Sequence, residues 1–288
     1  MTLSGAQLVG TDPETPISVL RRFSITTLTQ SLEDFTVLAA MPVAGMTNPV
    51  TGLPSIAGIA ILVDDAAGRV NYYRHGGPTV SSELTVDLSP GVIESLAAWP
   101  DDPVLASAYP LGPVGSPLLS VCTLTHRGTQ IGTGTVHTVG LPGDGPAEPP
   151  IRGEDPLAAR PGTDIGDLMA VEPLTARDGF VRLRQHPDPM VNNMIGIVHG
   201  GVSSAGLELA AAAAINHEQH RPFRTASIRV NFLRPFLSNT RAGTEAADAG
   251  SVYEGTVLRI GRTSAVADAQ AIGPDGKAAV IARVTAYR

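Results

Sequence analysis

Residues 193–201 read Asn-Met-Ile-Gly-Ile-Val-His-Gly-Gly and concentrate more chemically useful groups than any other run of the chain. Gly200 and Gly201 allow close backbone approach to a ligand and can open a helix. A helix start presents unpaired N–H groups and a partial positive charge, which suit a developing oxyanion. Glu208 stands nine residues beyond His199, flanked by Leu207, Leu209 and alanines. A carboxylate buried there is costly unless it has partners or a task; the competing reading is a solvated helix residue. The run therefore points to a reaction that places negative charge on an oxygen, with a carboxylate at hand.

Something must hold these groups in place. Residues 201–217 are rich in alanine, with small side chains on several faces, and predict a helix suited to close burial. Strand-like runs follow over 225–236, 240–250, 252–261, 263–273 and 277–287, marked by β-branched residues, alternation and Gly or Asn breaks. The first half has the same order: a helical candidate over 55–68, then strand-like runs over 80–90, 103–112, 116–128 and 132–140. SELTVDLSP, beginning at Ser82, and SIRVNFLRP, beginning at Ser227, both run from Ser to Pro and follow an acid within an apolar helix, Asp64 or Glu208, at nearly equal distances. One long helix and an antiparallel set of strands, twice over, predicts an α+β repeat. Between the copies, residues 140–164 hold six prolines and several glycines, against a continuous helix or central strand. The expected organisation is a domain over 1–140, a linker over 141–164 and a domain over 165–288.

The pattern N-x-x-G-x-x-H-G-G with an acid nine residues after the histidine resembles the hot-dog-fold acyl-CoA thioesterases of the phenylacetate-pathway type. Asn231 to Pro235 (NFLRP) and the later Gly261-Arg262 pair fit the same family. The resemblance covers residues 165–288 well. It implies two tandem hot-dog domains, each a long central helix wrapped by an antiparallel sheet, joined with continuous sheets and adjacent helices. It implies hydrolysis of an acyl-CoA thioester. Asn193 and His199 would sit by the carbonyl, the Gly200 N–H would hold the oxyanion, the acid would be base or nucleophile, and Ser227 would help position water. Gly201, Arg234 and Arg262 are the candidates for binding CoA, the two arginines because guanidinium forks match phosphate oxygens. Ser227 also reads as an ordinary strand serine, Asn193 as a turn residue whose register against Asn192 is open, and each arginine as a surface charge.

The first half departs from the motif. Aligning Asn48 with Asn193 and Gly52 with Gly196 needs one extra residue, and then Ser55-Ile56-Ala57 stands where His199-Gly200-Gly201 does. An acid remains, Asp64, at the position of Glu208, although Asp64 and Asp65 also read as a solvated helix end. In the family each site takes its HGG from one unit and its acid from the other. Nine helical residues span about 13.5 Å, too far for one helix start and its own acid to meet at one carbonyl. The expected working site therefore joins Asn193, His199 and Gly200 to Asp64 and Ser82. The other combination joins Ser55 and Ile56 to Glu208 and Ser227. A second HGG, at His75, follows the helix and has Leu84 where an acid would be needed, so it predicts a turn.

The bulk properties narrow the classes. The 288 residues allow about two domains. A net charge of −7, from 27 acids and 20 bases, argues against a nucleic-acid binder. The single cysteine, Cys122, excludes an internal disulfide and a cysteine-rich zinc site and reads as a buried apolar residue. There is no GxSxG elbow, Walker A loop or HExxH, and neither metal nor cofactor is expected. With no signal-like start and no apolar run of about 18 residues, the expectation is a cytoplasmic protein without a membrane span, a homo-oligomer of double hot-dog chains acting on acyl-CoA. The rival readings are a non-catalytic acyl-CoA or lipid-binding hot-dog protein and a structural or regulatory subunit.

Overall fold

The chain is described from a computed structural model over residues 17–113, 115, 117–142, 155, 164–238 and 250–288. The extreme N-terminus, most of the expected linker and the strand expected over 240–250, save Gly250, lie outside the described residues. The first half runs α1 (Ile17–Arg22), β1 (Thr26–Ser31), β2 (Thr36–Met41), α2 (Ala57–His75), β3 (Thr79–Leu88), α3 (Val92–Ala98), β4 (Val104–Leu111), β5 (Leu118–His126) and β6 (Thr129–Gly140). The second runs α4 (Ile165–Met169), β7 (Val171–Arg177), β8 (Phe180–Gln185), a 3-10 turn (Pro189–Val191), α5 (Gly200–Asn216), β9 (Arg224–Phe232), β10 (Val252–Ile260), β11 (Ser264–Ile272) and β12 (Ala278–Tyr287).

All the strands form one antiparallel sheet in the order β1-β2-β4-β5-β6-β3-β9-β12-β11-β10-β8-β7. Each half is a hot-dog unit, and β3 joins β9 at the middle, with Leu84 opposite Val230 and Val86 opposite Ile228. These four side chains are fully buried beneath the helices. α2 and α5 are apolar or small on nearly every face, the pattern of a helix enclosed by protein. They lie against each other at the centre of the wrap, each packed on the strands of its own half. At their closest approach a Cβ on Gly201 would stand 2.7 Å from the Ile61 Cα, so only glycine fits.

Two expectations need correction. Each half has a short helix and a hairpin ahead of its long helix, α1 with β1–β2 and α4 with β7–β8, which the helix-then-strands repeat omitted. α2 does not stop at Gly68 but continues to His75, because a glycine weakens a helix by only about 1 kcal/mol and burial on all sides outweighs that. The His75 HGG forms the turn expected of it, as the helix C-cap: Gly76 adopts φ 72° and its N–H donates to the Tyr72 carbonyl at 3.0 Å. Cys122 is fully buried on β5, and burial pushes its thiol up to about 12. No helix among the described residues is long and apolar enough to cross a membrane.

Candidate active site

α5 begins at the HGG run because His199 leaves helical geometry, with ψ 140°, and caps the first turn. This aims the first N–H groups of α5 at α2, where Asp64 faces them. The Asp64 Oδ2 accepts from the Gly201 N–H at 2.5 Å and lies 3.4 Å from the His199 Nδ1; Oδ1 accepts from the Ser81 hydroxyl at 2.8 Å. The His199 Nδ1 also lies 3.2 Å from the Gly201 nitrogen. One N–H serves two acceptors poorly, and the bond to the carboxylate is shorter and charge-assisted. The Gly201 N–H is thus shared, with the Asp64 carboxylate as its nearer acceptor and the His199 Nδ1 as the weaker one. The Gly200 N–H, one residue earlier, has no acceptor among the described residues.

These groups open on a cavity of about 390 Å³ between the two halves, walled mainly by apolar side chains, among them Met194, Ile197, Phe232 and Phe236. Asp64, Asn193, His199 and Gly200 all line it. Asn193 uses its amide oxygen to hold the preceding loop, accepting from the N–H groups of Ile195 at 3.1 Å and Ile197 at 3.2 Å. Asn192 is buried one residue away, with its amide oxygen unpartnered. Arg234 stands at the cavity wall and pairs with Asp275 at 3.5 Å.

Glu208 lies at the equivalent place in the other combination. Thr225 donates to one of its oxygens at 2.6 Å and Ser55 to the other at 3.2 Å. Ser55 also accepts from the Ala57 N–H at 3.1 Å, as His199 does from Gly201. Burial pushes the Glu208 carboxyl up to about 7 against the opposing pull of its two hydroxyl partners. The space beside it is about 20 Å³, room for about one water, and Ile93 and Phe223 close it.

The geometry thus brings Asp64 to Asn193, His199 and Gly200, and keeps Glu208 away from them. It does not bring the expected serines. Ser82 reaches the cavity wall, but its hydroxyl donates to the His137 carbonyl at 3.2 Å; Ser81 touches Asp64. Ser227 does not touch Glu208; Thr225 does. Ser227 adjoins the inward-facing Ile228, so alternation alone turns it away from the helices, and both strands share an irregularity that brings another residue in. β3 has an irregular register between Ser81 and Glu83, and β9 has one between Thr225 and Ser227. A bulge turns its strand by one position, so Ser81 and Thr225 face the helices with Leu84 and Ile228. Arg262 is the other misplacement. It sits in the turn before β11, where its carbonyl accepts from Arg288, whereas Asp275, the partner of Arg234, is in the turn after β11. A nine-residue strand puts about 30 Å between those turns. Among the described residues no group of three or more His, Cys, Asp or Glu side chains could hold a metal ion.

Fold and site together define a double hot-dog protein whose second unit carries the HGG helix start. The family model described as the Thioesterase superfamily matches residues 195–240, the stretch that includes this helix. Among solved structures, an acyl-CoA thioesterase II, TesB2, from Mycobacterium marinum is 13% identical, with a TM-score of 0.56, covering 94% of this chain and 96% of that one. A tesB protein from Mycobacterium avium subs paratuberculosis is 14% identical, with a TM-score of 0.58, covering 93% and 97%. The PaaI protein of the E. coli phenylacetic acid degradation operon is 18% identical, with a TM-score of 0.36, covering 43% of this chain and 86% of that one. A search of curated proteins returned no match.

Proposed function

We propose that this chain hydrolyses acyl-CoA thioesters at the Asp64–His199–Gly200 site. The observation that carries the reading is a buried carboxylate set against the N–H groups of a helix start inside an apolar cavity of about 390 Å³. The thioester carbonyl would accept from the Gly200 N–H, where charge develops as the tetrahedral intermediate forms. Asp64, held by Ser81, would take the proton of the attacking water or attack first itself. His199 orients the carboxylate, and Asn193 keeps the loop that walls the carbonyl. Arg234, at the cavity wall, is the candidate for a CoA phosphate; Gly201 admits the close approach of the two helices.

The same reading takes residues 1–140 and 165–288 as the two domains with 141–164 as linker, places the protein in the cytoplasm, and has double hot-dog chains assemble into a homo-oligomer. Glu208, Ser55 and Thr225 are then a closed counterpart of the working site. The test is to incubate the pure protein with a panel of acyl-CoAs and a thiol reagent. Release of free CoA, lost in Asp64→Asn, supports hydrolysis. Binding without release would instead make it an acyl-CoA or lipid-binding protein.

A further inference from the structure

Asp64, Gly68 and Tyr72 follow one another at four-residue spacing on α2, and so stand on one face of it. All three line the large cavity. From Asp64 to Tyr72 the helix advances about 12 Å, which makes this face a wall running away from the carboxylate. Gly68 at its middle has no local explanation. Its backbone is helical, without the positive φ that calls for glycine, and it lies in a helix interior, where glycine is unfavourable. Nothing packs against it either. A Cβ there would meet no atom within 4 Å, whereas one on Gly58 in the same helix, or on Gly201 or Gly206 in α5, would collide.

The molecule contains its own control. Gly68 follows Asp64 by as many residues as Ala212 follows Glu208, and Tyr72 corresponds likewise to Asn216. Ala212 and Asn216 line the small cavity, and the Asn216 amide is tied to the Phe223 backbone at 3.1 and 2.8 Å. With side chains there, about 20 Å³ remains; with Gly68 in the equivalent place, about 390 Å³ is open. Val80, Val139 and Phe232 line the same cavity, so what fits in it is apolar. About two turns beyond Asp64, Tyr72 lines the cavity and its ring meets the Tyr73 ring edge-on, with centroids 5.5 Å apart, which steadies it.

We propose that Gly68 opens the acyl-binding arm of the site and that Tyr72 sets its length, so that the preferred substrate carries an uncharged apolar acyl group longer than four carbons. This rests on the thioesterase reading for the identity of the ligand, and the experiment separates the two. The affinities of the non-hydrolysable thioethers S-butyl-, S-octyl- and S-dodecyl-CoA are measured by calorimetry, and hydrolysis of octanoyl-CoA is followed in parallel. Burying a methylene is worth about fourfold in affinity, so the wild type should favour S-octyl- over S-butyl-CoA strongly. Gly68→Leu should reduce that octyl-to-butyl ratio at least tenfold, and Tyr72→Ala should raise the dodecyl-to-octyl ratio at least threefold. If Gly68→Leu does not fold, Gly68→Ala, a helix-favouring change, should lower the first ratio in the same direction by a smaller factor. Ratios within twofold of wild type in the folded Gly68 and Tyr72 variants overturn the inference. A wild type that binds S-octyl-CoA with the expected ratios but leaves octanoyl-CoA intact removes the thioesterase reading alone. Hydrolysis with unmoved ratios removes this inference alone, and a wild type that binds none of the thioethers removes both.

Discussion

Two carboxylates occupy matching positions on paired helices, and their neighbours give them different chemistry. Asp64 meets a backbone N–H, a histidine and a serine at the edge of an open cavity. Glu208 meets two hydroxyls in a closed space, and burial favours its neutral form. Beside Asp64 the Gly200 N–H, which has no acceptor among the described residues, opens on a cavity with room for a substrate, whereas the space beside Glu208 holds about 20 Å³. Asp64→Asn is therefore expected to lower kcat for acyl-CoA hydrolysis on the order of 10²–10⁴-fold, and Glu208→Gln to leave it within a fewfold. A dead Glu208→Gln beside a near-normal Asp64→Asn would refute the assignment. The bulge at Ser82 supports a finer prediction. A hydrogen bond to a charged group is worth about 1.5–3 kcal/mol, so Ser81→Ala should reduce kcat/KM on the order of 10–100-fold, while Ser82→Ala should change it little. Equal losses in steady-state assays of the two variants would remove Ser81 from the site. The histidine and the glycines were legible in the sequence because they lie in one short motif, and Asp64 because the repeat places it where Glu208 stands in the other half. Ser81 and Thr225 were not, since simple strand alternation points Ser82 inward and nothing in the residue types announces the bulge.

At the scale of elements, the site exists because the start of α5 is pressed against the middle of α2. Gly201 permits it: the Ile61 Cα, the Asp64 Cβ and the Ala60 carbonyl all crowd the place where its side chain would be. The first of these is backbone and cannot move without moving α2. Gly201→Ala should thus force the helices apart, destabilising the fold by about 1–3 kcal/mol. In a chain of this size that corresponds to a fall in melting temperature of several degrees, with activity lost as the N–H groups leave Asp64. A Gly201→Ala protein with wild-type melting behaviour and turnover would show that the close approach is dispensable. The two long helices were legible because burial on all faces leaves a long apolar run. The hairpins were not equally so. β1 and β7 are the two edges of the sheet, mostly exposed, and β7 contains Pro173. Edge strands need no buried alternation and tolerate proline, which removes the signals that mark the strands of the interior.

Across the whole molecule, the same number of residues separates Asp64 from Glu208, Ser55 from His199, Ser81 from Thr225, and Thr85 from Arg229. Thr85 and Arg229 are themselves paired at the β3–β9 junction, so the axis relating the halves passes through that pair. The duplication creates two equivalent sites, and divergence has left one open and one closed. The closed one should be visible in the stability of the entire fold. Glu208 has an ordinary value near 4.5 and is raised to about 7 by burial. The folded protein then holds a proton that the unfolded chain releases, and stability falls as pH rises through that interval. The contribution is fully present below about 4.5 and lost above about 7, and 2–3 pH units correspond to roughly 3 kcal/mol. Glutamine has nearly the same shape, stays neutral and can still meet Thr225 and Ser55. Glu208→Gln should therefore flatten this part of the pH dependence and be more stable than wild type at pH 8, with the gap closing near pH 5. Urea unfolding of both proteins at pH 5, 6, 7 and 8 measures it. Parallel stability curves over that range would mean that Glu208 is ionised in the fold, and that its cavity admits more water than two hydroxyls and about 20 Å³ suggest.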